Sequence, residues 1–410
     1  MPYAHRPIHD ADAHVMETPD WLHDHAEPDI RPRLKDLAIS STKPGEDKLV
    51  DEFRLRHADP EYRSLNETEL LSRKNWAALG SFIKEDRPRA IDLLGFESQL
   101  IFNTFLNGML LRLERKDDVA FAYGFARAHN RAMLEFCSAD PRLLATGYVP
   151  LRDFEGSKTA AREVIEAGCA ALLVPSGCPR GHSPSHFGLD PVWAQAQEAG
   201  LPVVFHVGGG LRLADDELLD PTYFENGEPP IKDFHGGDEN FRSVDYMAIA
   251  TAPMQTLATM IFDGVLDRFP DLKIGVIEQG ASWLPSWMRY LDSAFEAFRK
   301  GEERLQKLTS RPSDFVKRQV RVTPYPSEDV GWIIQNSGDD TCLFSSDYPH
   351  VEGGRNPIKR FEASLSGVSE AQKQRFYYDN FVDLMGNALN GLPLATDRPD
   401  PTTASVPEPR

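Results

Sequence analysis

The chain has 410 residues, of which 41% are hydrophobic and 26% are charged, a balance typical of a folded globular protein rather than a disordered or fibrous one. Lys and Arg number 45 against 63 Asp and Glu, and the resulting formal charge of -18 argues against a nucleic-acid partner. The N-terminus lacks the apolar run of a signal peptide, and no stretch reaches the roughly 20 apolar residues of a membrane span, so we expect a cytoplasmic protein without a membrane partner.

Eight short apolar runs alternate with amphipathic stretches along the chain. The runs lie at residues 7–15, 98–104, 143–151, 169–176, 202–208, 273–280, 319–325 and 342–348. Between them, apolar residues recur at three- and four-residue intervals, which predicts helices over 117–140, 156–168, 190–200, 254–270 and 282–300. This alternation predicts an α/β fold with parallel strands, and eight units favour a single closed (β/α)8 TIM-like barrel. An open doubly wound sheet is the alternative, although no GxGxxG signature follows the first strand.

Two segments interrupt the alternation, at about residues 20–90 and about 209–245. Each follows a predicted strand, and the loops at the carboxyl ends of barrel strands form the active-site face. We therefore expect helical and loop insertions that shape or cover a substrate pocket. The barrel is predicted to span residues 1–390, and the Pro-rich residues 391–410 are predicted to be a disordered tail.

Acidic and imidazole side chains mark the end of the first strand. Asp10, Asp12 and His14 alternate with alanines, and side chains two apart on a strand point the same way. One strand end therefore offers two or three candidate ligand groups. The alternative is a polar strand end that faces solvent.

Two further strands end in residues of the same kind. His206 closes the fifth strand just before three glycines, and Glu278 closes the sixth strand. Burying the carboxylate of Glu278 without a partner costs several kcal/mol, so we expect Glu278 to be a metal ligand or to have a raised pKa, and we count it among the catalytic residues. An ion pair with an arginine is the alternative.

The last strand follows the same plan, with Asp347 at its end entering the sequence Asp-Tyr-Pro-His. Pro349 restricts Tyr348 to an extended backbone, which orients Asp347 and places His350 within reach of the same pocket. We interpret Asp347 as a metal ligand or a catalytic acid or base. His350 is predicted to act in catalysis, as a substrate contact or a support of the ligands.

Four motifs together resemble one family: HDADAH in the first strand, FHVGGG at the fifth, the Gly-rich turn after the sixth, and FSSDYPH at the eighth. They are similar to the amidohydrolase-2 branch of the amidohydrolase superfamily, over roughly residues 7–390. The resemblance implies a (β/α)8 barrel that binds a divalent metal, often zinc or manganese. Relatives include decarboxylases of aromatic or muconate substrates and hydrolases of C–C or C–O bonds, and they are commonly homodimers.

Carried over by position, the resemblance assigns Asp12 and His14 as first-strand ligands, His206 as the fifth-strand ligand, and Asp347 as the eighth-strand ligand or general base. This chain departs from the family in two places. Many relatives have HxH or ExH where this chain has Asp12 and His14, and many have a sixth-strand histidine where it has Glu278. The second departure weakens inference about the substrate, because an ionised glutamate only accepts hydrogen bonds or binds metal.

Two enzymatic functions remain open on these residues. The first is a metal-dependent hydrolase or decarboxylase of a small carbonyl or carboxylate substrate, either aromatic or linked to coenzyme A. The second is a non-haem di-iron monooxygenase, since carboxylate-rich shells suit redox-active iron. Both need one or two divalent ions of zinc, manganese or iron, held by Asp12, His14, His206, Glu278 and Asp347. A scaffold protein that has lost its metal is the non-enzymatic alternative.

Other side chains are weaker candidates. Glu17 and His235 are possible additional ligands. Basic loop residues could meet a carboxylate or phosphate, namely Arg212, Lys232, Arg242 and Arg355, and aromatic residues could line an apolar pocket, namely Trp283, Trp287 and Tyr348. For each of these, a solvated surface or a core position is the alternative.

Overall fold

The computed structural model describes residues 4–36, 46–208, 225, 227 and 243–392. Within these residues one parallel sheet contains seven strands, each paired with the next along the chain. They are His9–Val15 (β1), Ser98–Asn103 (β2), Leu143–Tyr148 (β3), Ala171–Leu173 (β4), Val203–His206 (β5), Ile274–Ile277 (β6) and Val320–Val322 (β7). A doubly wound sheet reverses its strand order, so the sequential order excludes that alternative.

The eighth apolar run does not form a strand, and that part of the prediction is wrong. Residues 341–348 instead form two isolated bridges, one with each edge of the sheet: Ala13–Tyr348 and Val322–Cys342. The side chain of Asp10 explains part of the difference, because its Oδ1 accepts the backbone N–H of Ser346 at 2.8 Å. That N–H is then not available to a strand ladder. The sheet is curled so that one segment contacts both of its edges.

Helices connect successive strands and cover the sheet. The helices predicted at 117–140, 156–168 and 190–200 are confirmed within a few residues. The helix predicted at 282–300 begins and ends two residues inside its predicted bounds. The helix predicted at 254–270 is two helices, divided at Gly264, whose φ of 75° is left-handed. The α-helices lie at Glu46–Ala58 (α1), Pro60–Thr68 (α2), Arg87–Leu94 (α3), Leu106–Glu114 (α4), Val119–Cys137 (α5), Phe154–Glu166 (α6), Asp190–Ala199 (α7), Ser243–Ala248 (α8), Thr251–Phe262 (α9), Val265–Arg268 (α10), Leu284–Phe298 (α11), Glu303–Gln306 (α12), Pro312–Gln319 (α13), Val330–Ser337 (α14), Pro357–Ser364 (α15), Glu370–Gln374 (α16) and Asn380–Met385 (α17).

Strand residues alternate between two apolar layers. On β2, Leu100 and Phe102 belong to one buried cluster, whereas Ile101 between them belongs to another. The same alternation separates Val204 from Val203 on β5. This period of two is what a sheet with both faces covered requires.

The segment between β1 and β2 reaches over the carboxyl end of the sheet. The backbone N–H of Asn75 donates to the carbonyl of Pro349 at 3.0 Å, and the hydroxyl of Tyr348 donates to the carbonyl of Leu79 at 2.7 Å. Lys74 Nζ donates to a third carbonyl in the same region at 2.7 Å. The first predicted insertion therefore packs on the loop that carries Asp347.

Most of the second predicted insertion, at 209–245, lies outside the described residues, as do His235, Arg212, Lys232, Arg242 and positions 393–410 of the predicted tail. Among the described helices, none is long and apolar enough to cross a lipid bilayer. The domain bounds stay a prediction.

Candidate metal centre

A β-bulge in β1 separates Asp10 from the other two residues of its motif. The pairing of β1 with β2 shifts register between Asp10 and Ala13, and such a bulge re-aims the side chains that follow it. Asp10 accepts hydrogen bonds from Gln99 Nε2 at 2.8 Å and Ser346 Oγ at 2.6 Å, and burial raises its pKa to about 7. Strict alternation along this motif is therefore a wrong expectation, and the strand end contributes two residues to the site.

Four predicted ligands meet where β1, β5 and β6 end. His206 Nε2 lies 3.3 Å from Asp12 Oδ1 and 3.2 Å from Glu278 Oε2. His14 Nε2 lies 3.2 Å from the same Asp12 oxygen. One potential ligand atom from each of the four residues lies within 4.8 Å of the others. The structure therefore brings these residues together as the sequence predicts, while their role as ligands stays a prediction.

Asp347 and His350 lie beside this cluster. Asp347 Oδ1 is 3.4 Å from His14 Nε2 and 2.8 Å from His350 Nδ1. The ring of His350 stacks on that of His14 with 3.9 Å between their centroids. The backbone N–H of Asp347 donates to the carbonyl of Asp12 at 2.9 Å, which ties the segment that carries Asp347 to β1. His14, Asp347 and His350 thus form a second group that shares His14 with the first.

Two of the acidic residues have a strained backbone. Glu278 has a φ of 54° and Asp347 a φ of 53°, in the left-handed region that costs about 1–3 kcal/mol for residues other than glycine. Two side chains just beyond β7 hold Glu278 in place. Thr323 Oγ1 accepts its N–H at 2.7 Å, and the hydroxyl of Tyr325 donates to its carbonyl at 2.8 Å. A left-handed backbone at a residue other than glycine persists only where the contacts around it hold it in place.

Backbone carbonyls orient both cluster histidines. His14 Nδ1 lies 2.9 Å from the carbonyl oxygen of Asn103, and His206 Nδ1 lies 3.0 Å from that of Val207. A carbonyl only accepts, so each Nδ1 carries the hydrogen and each Nε2 directs a lone pair into the cluster. Burial, and next the neighbouring His350, lower the pKa of His14 to about 4, so its ring is neutral at neutral pH.

The donor atoms of the cluster fit a divalent cation. With a hydrogen on each Nδ1, lone pairs on Nε2 face carboxylate oxygens at 3.2–3.3 Å, which is repulsive unless a cation or proton lies between them. Asp12 Oδ2 and His14 Nε2 are buried and make no hydrogen bond within the described part of the chain. Mixed carboxylate and imidazole donors suit zinc, manganese or iron.

Exposure divides the six side chains into a floor and a rim. Asp12, His14 and His206 are 1–3% exposed, whereas Glu278, Asp347 and His350 are 10–14% exposed. The cluster therefore faces solvent on the side of the three rim residues.

Several weaker candidates have other roles. The carboxylate of Glu17 accepts the backbone N–H groups of residues 104–106 at the start of α4, so it caps that helix rather than joining the cluster. Tyr348 and Trp287 are core residues, and Trp283 Nε1 donates to the carbonyl of Gly280 at 2.8 Å. Arg355 is exposed.

The residues that hold the clustered side chains in place are not among those predicted from the sequence. The most important are Asn103, Thr104, Thr323 and Tyr325, each of which contacts a cluster residue or His350. Each lies at or just after the carboxyl end of β2 or β7, and that position is the signal that could have found them.

The family model described as Amidohydrolase matches residues 9–383. The chain belongs to the amidohydrolase-2 family. No curated protein matches the sequence.

Solved structures of family members share the fold. An amidohydrolase from Mycobacterium avium subsp. paratuberculosis K-10 is 22% identical, with a TM-score of 0.69 over 93% of this chain and 100% of that one. The 5-carboxyvanillate decarboxylase of Novosphingobium aromaticivorans, complexed with manganese and a nitrobenzoic acid, is 19% identical, with a TM-score of 0.60 over 93% and 96%. The 2,6-dihydroxybenzoate decarboxylase of Rhizobium is 18% identical, with a TM-score of 0.58 over 93% and 98%.

Proposed function

We propose that this amidohydrolase-2 protein is a metal-dependent lyase or hydrolase that acts on a carboxylate or carbonyl group of a small organic substrate. Decarboxylation of an aromatic acid is the first reaction to test. The observation that carries the proposal is the buried cluster of Asp12, His14, His206 and Glu278, with both imidazole Nε2 atoms turned inwards. Support for decarboxylation comes from the two decarboxylases of aromatic acids that share the fold.

A single divalent ion fits the geometry better than two. The two groups of potential ligands share His14, and its Nδ1 is engaged by the carbonyl of Asn103. The one remaining lone pair, on Nε2, binds one ion. A second ion would then have only Asp347 and His350 among the residues grouped here, too few for a stable site. Manganese is the first ion to test, because the Novosphingobium relative contains it.

The four clustered residues and the pair formed by Asp347 and His350 have separate roles in the proposed chemistry. A divalent cation held by Asp12, His14, His206 and Glu278 would polarise a carboxylate or carbonyl oxygen of the substrate. Ionised Glu278 cannot donate a hydrogen bond to that substrate, so we assign it to holding the ion rather than to binding the substrate. This assignment follows from the residue that distinguishes the chain from many relatives.

Asp347 and His350 are the proposed proton-handling pair. Their facing atoms, Oδ1 and Nδ1, lie 2.8 Å apart on the exposed side of the cluster. In a decarboxylation the pair delivers a proton to the substrate carbon that carries the carboxylate group. The bond between this carbon and the carboxylate group breaks, and carbon dioxide leaves. In a hydrolysis the carboxylate of Asp347 takes a proton from the attacking water. Asp347 contributes to either reaction as acid or base.

The finer architecture is also a proposal. Residues 341–348 hydrogen-bond to both β1 and β7, so we assign them the place of the eighth strand of a closed (β/α)8 barrel. A homodimer and a cytoplasmic location stay predictions.

Metal analysis and turnover test the function. The purified protein, reconstituted with Mn²⁺, Zn²⁺ or Fe²⁺, is expected to bind about one ion per chain. It is then assayed against hydroxybenzoates for release of carbon dioxide, and against esters, lactones and amides for hydrolysis. His206→Ala should abolish turnover and lower metal occupancy, Asp347→Asn should abolish turnover while the metal stays bound, and Cys137→Ser should change neither. Full metal content and turnover in His206→Ala would refute the assignment.

Oxygen dependence separates the proposal from the di-iron monooxygenase. The relatives described above give no support for that alternative. Turnover is expected to be equal in air and under anaerobic conditions. Two irons per chain together with a strict requirement for oxygen would overturn the lyase or hydrolase proposal.

A further inference from the structure

The hydroxyl of Thr104 lies between β1 and His350. It donates its one hydrogen to the carbonyl of Val15 at 2.8 Å, a better acceptor than the sulfur of Met16 at 3.6 Å. The same oxygen lies 2.9 Å from His350 Nε2. Because the hydroxyl hydrogen is already used, the oxygen must accept, and His350 Nε2 must carry a hydrogen.

The backbone of Thr104 is fixed by a second group. Both carboxylate oxygens of Glu17 accept its N–H, at 3.0 and 2.9 Å, and they also accept those of Phe105 at 3.1 Å and Leu106 at 3.3 Å. Glu17 is buried, and these bonds lie at the first turn of α4, where N–H groups have no partner within the helix. The position of the Thr104 hydroxyl is therefore set by the fold and not by rotation of a loop.

We infer that Thr104 is a positioning residue for His350: its hydroxyl keeps the hydrogen on Nε2 and so directs Nδ1 at Asp347. The inference rests on the proposed function, in which Asp347 and His350 handle a proton. A histidine ring turned by 180° places its nitrogens and carbons in nearly the same volume, so packing against His14 alone does not select the orientation. The hydrogen bond from Nε2 to Thr104 supplies that selection.

The inference is tested by nuclear magnetic resonance on the intact protein with 15N-labelled histidine. The protein is loaded with Zn²⁺, because paramagnetic Mn²⁺ would broaden the signals. Correlations between ring C–H protons and ring nitrogens report which nitrogen carries a hydrogen, and His350→Asn identifies the signals of His350. The wild-type protein and Thr104→Ser should show a hydrogen on Nε2. Thr104→Val, or Thr104→Ala if the valine variant does not fold, should lose that pattern.

Thr146→Val is the matched control. Thr146 is a buried threonine on β3, and its hydroxyl, like that of Thr104, donates to a backbone carbonyl, that of Ile101 at 2.9 Å, without contacting His350. This control should leave the His350 signals unchanged. An unchanged His350 pattern in Thr104→Val, or a changed one in Thr104→Ser, would overturn the inference.

Metal content and kinetics then separate this inference from the proposed function. Thr104→Val should bind Zn²⁺ as tightly as wild type, because Thr104 is not one of the grouped ligand residues. With an accepted substrate, kcat should fall about 10-fold or more while KM stays within about 2-fold, and Thr104→Ser should restore kcat. If the wild-type protein binds no metal, the proposed function fails, while the His350 pattern remains a separate result.

Discussion

Tyr325→Phe tests whether the strained backbone of Glu278 is held by its neighbours. The hydroxyl of Tyr325 donates to the carbonyl of Glu278 at 2.8 Å, and Thr323 Oγ1 accepts the N–H of Glu278 at 2.7 Å. Gly280 allows this arrangement, since a Cβ at that position would lie 2.9 Å from the Tyr325 ring. The substitution removes one hydroxyl and leaves the ring and its packing in place.

The expected magnitude follows from comparing two free energies. A left-handed φ of 54° costs Glu278 about 1–3 kcal/mol, and a buried hydrogen bond contributes about 0.5–1.5 kcal/mol. Losing one of the two bonds is therefore comparable to the strain that it offsets. Glu278 should spend more time away from the cluster, and the affinity for Mn²⁺ should fall about 2- to 10-fold. Adding Thr323→Val should extend the loss towards about 100-fold.

Competition with a chelator measures the Mn²⁺ affinity, and thermal unfolding measures stability. Tyr123→Phe is the matched control, because the Tyr123 hydroxyl also lies within hydrogen-bonding distance of backbone carbonyl oxygens, those of Pro150 and Asp153, but is outside the grouped ligands. The control should lose stability and keep its metal affinity. If Tyr325→Phe behaves like the control, with lower stability and wild-type affinity, the proposed support of Glu278 is refuted.

Two further predictions concern packing and pH. In Gly353→Ala the new Cβ would lie 2.0 Å from a backbone carbonyl oxygen beside Asp347. It should lower stability by about 1–3 kcal/mol in thermal unfolding and also reduce metal occupancy. Gly301→Ala, whose nearest contact would be 3.8 Å, should do neither. Burial raises the pKa of Glu114 to about 7, so the folded state binds this proton more tightly than the unfolded chain. The stability that this proton contributes is complete below the pKa of the unfolded chain and is lost as pH rises through about 7. The free energy of unfolding of Glu114→Gln, measured in urea, should therefore rise relative to that of wild type by up to about 3 kcal/mol between pH 5 and 8. An equal pH dependence in both proteins would contradict this.

The sequence predicts most of the fold because its signals are local. Strands β1 to β7 and helices α5, α6, α7 and α11 follow from apolar periodicity, and residues at the carboxyl ends of parallel strands meet at one edge of the sheet. That rule places Asp12, His14, His206 and Glu278 together without knowledge of any contact. The eighth run fails as a strand in part because the side chain of the distant residue Asp10 accepts one of its backbone N–H groups, and no local pattern reports that bond.

The details of the site depend on contacts between distant parts of the chain. A bulge decides that Asp10 is buried apart from the cluster, because one additional residue reverses which face each side chain occupies. Thr104 and His350 are 246 residues apart, and their hydrogen bond exists only because β2 and the last loop end side by side. The sequence by itself determined the kinds of donor atoms that the candidate site contains and the edge of the sheet where they gather. Tertiary structure alone decided their orientation, because hydrogen-bond direction and backbone strain depend on partners that become neighbours only after folding.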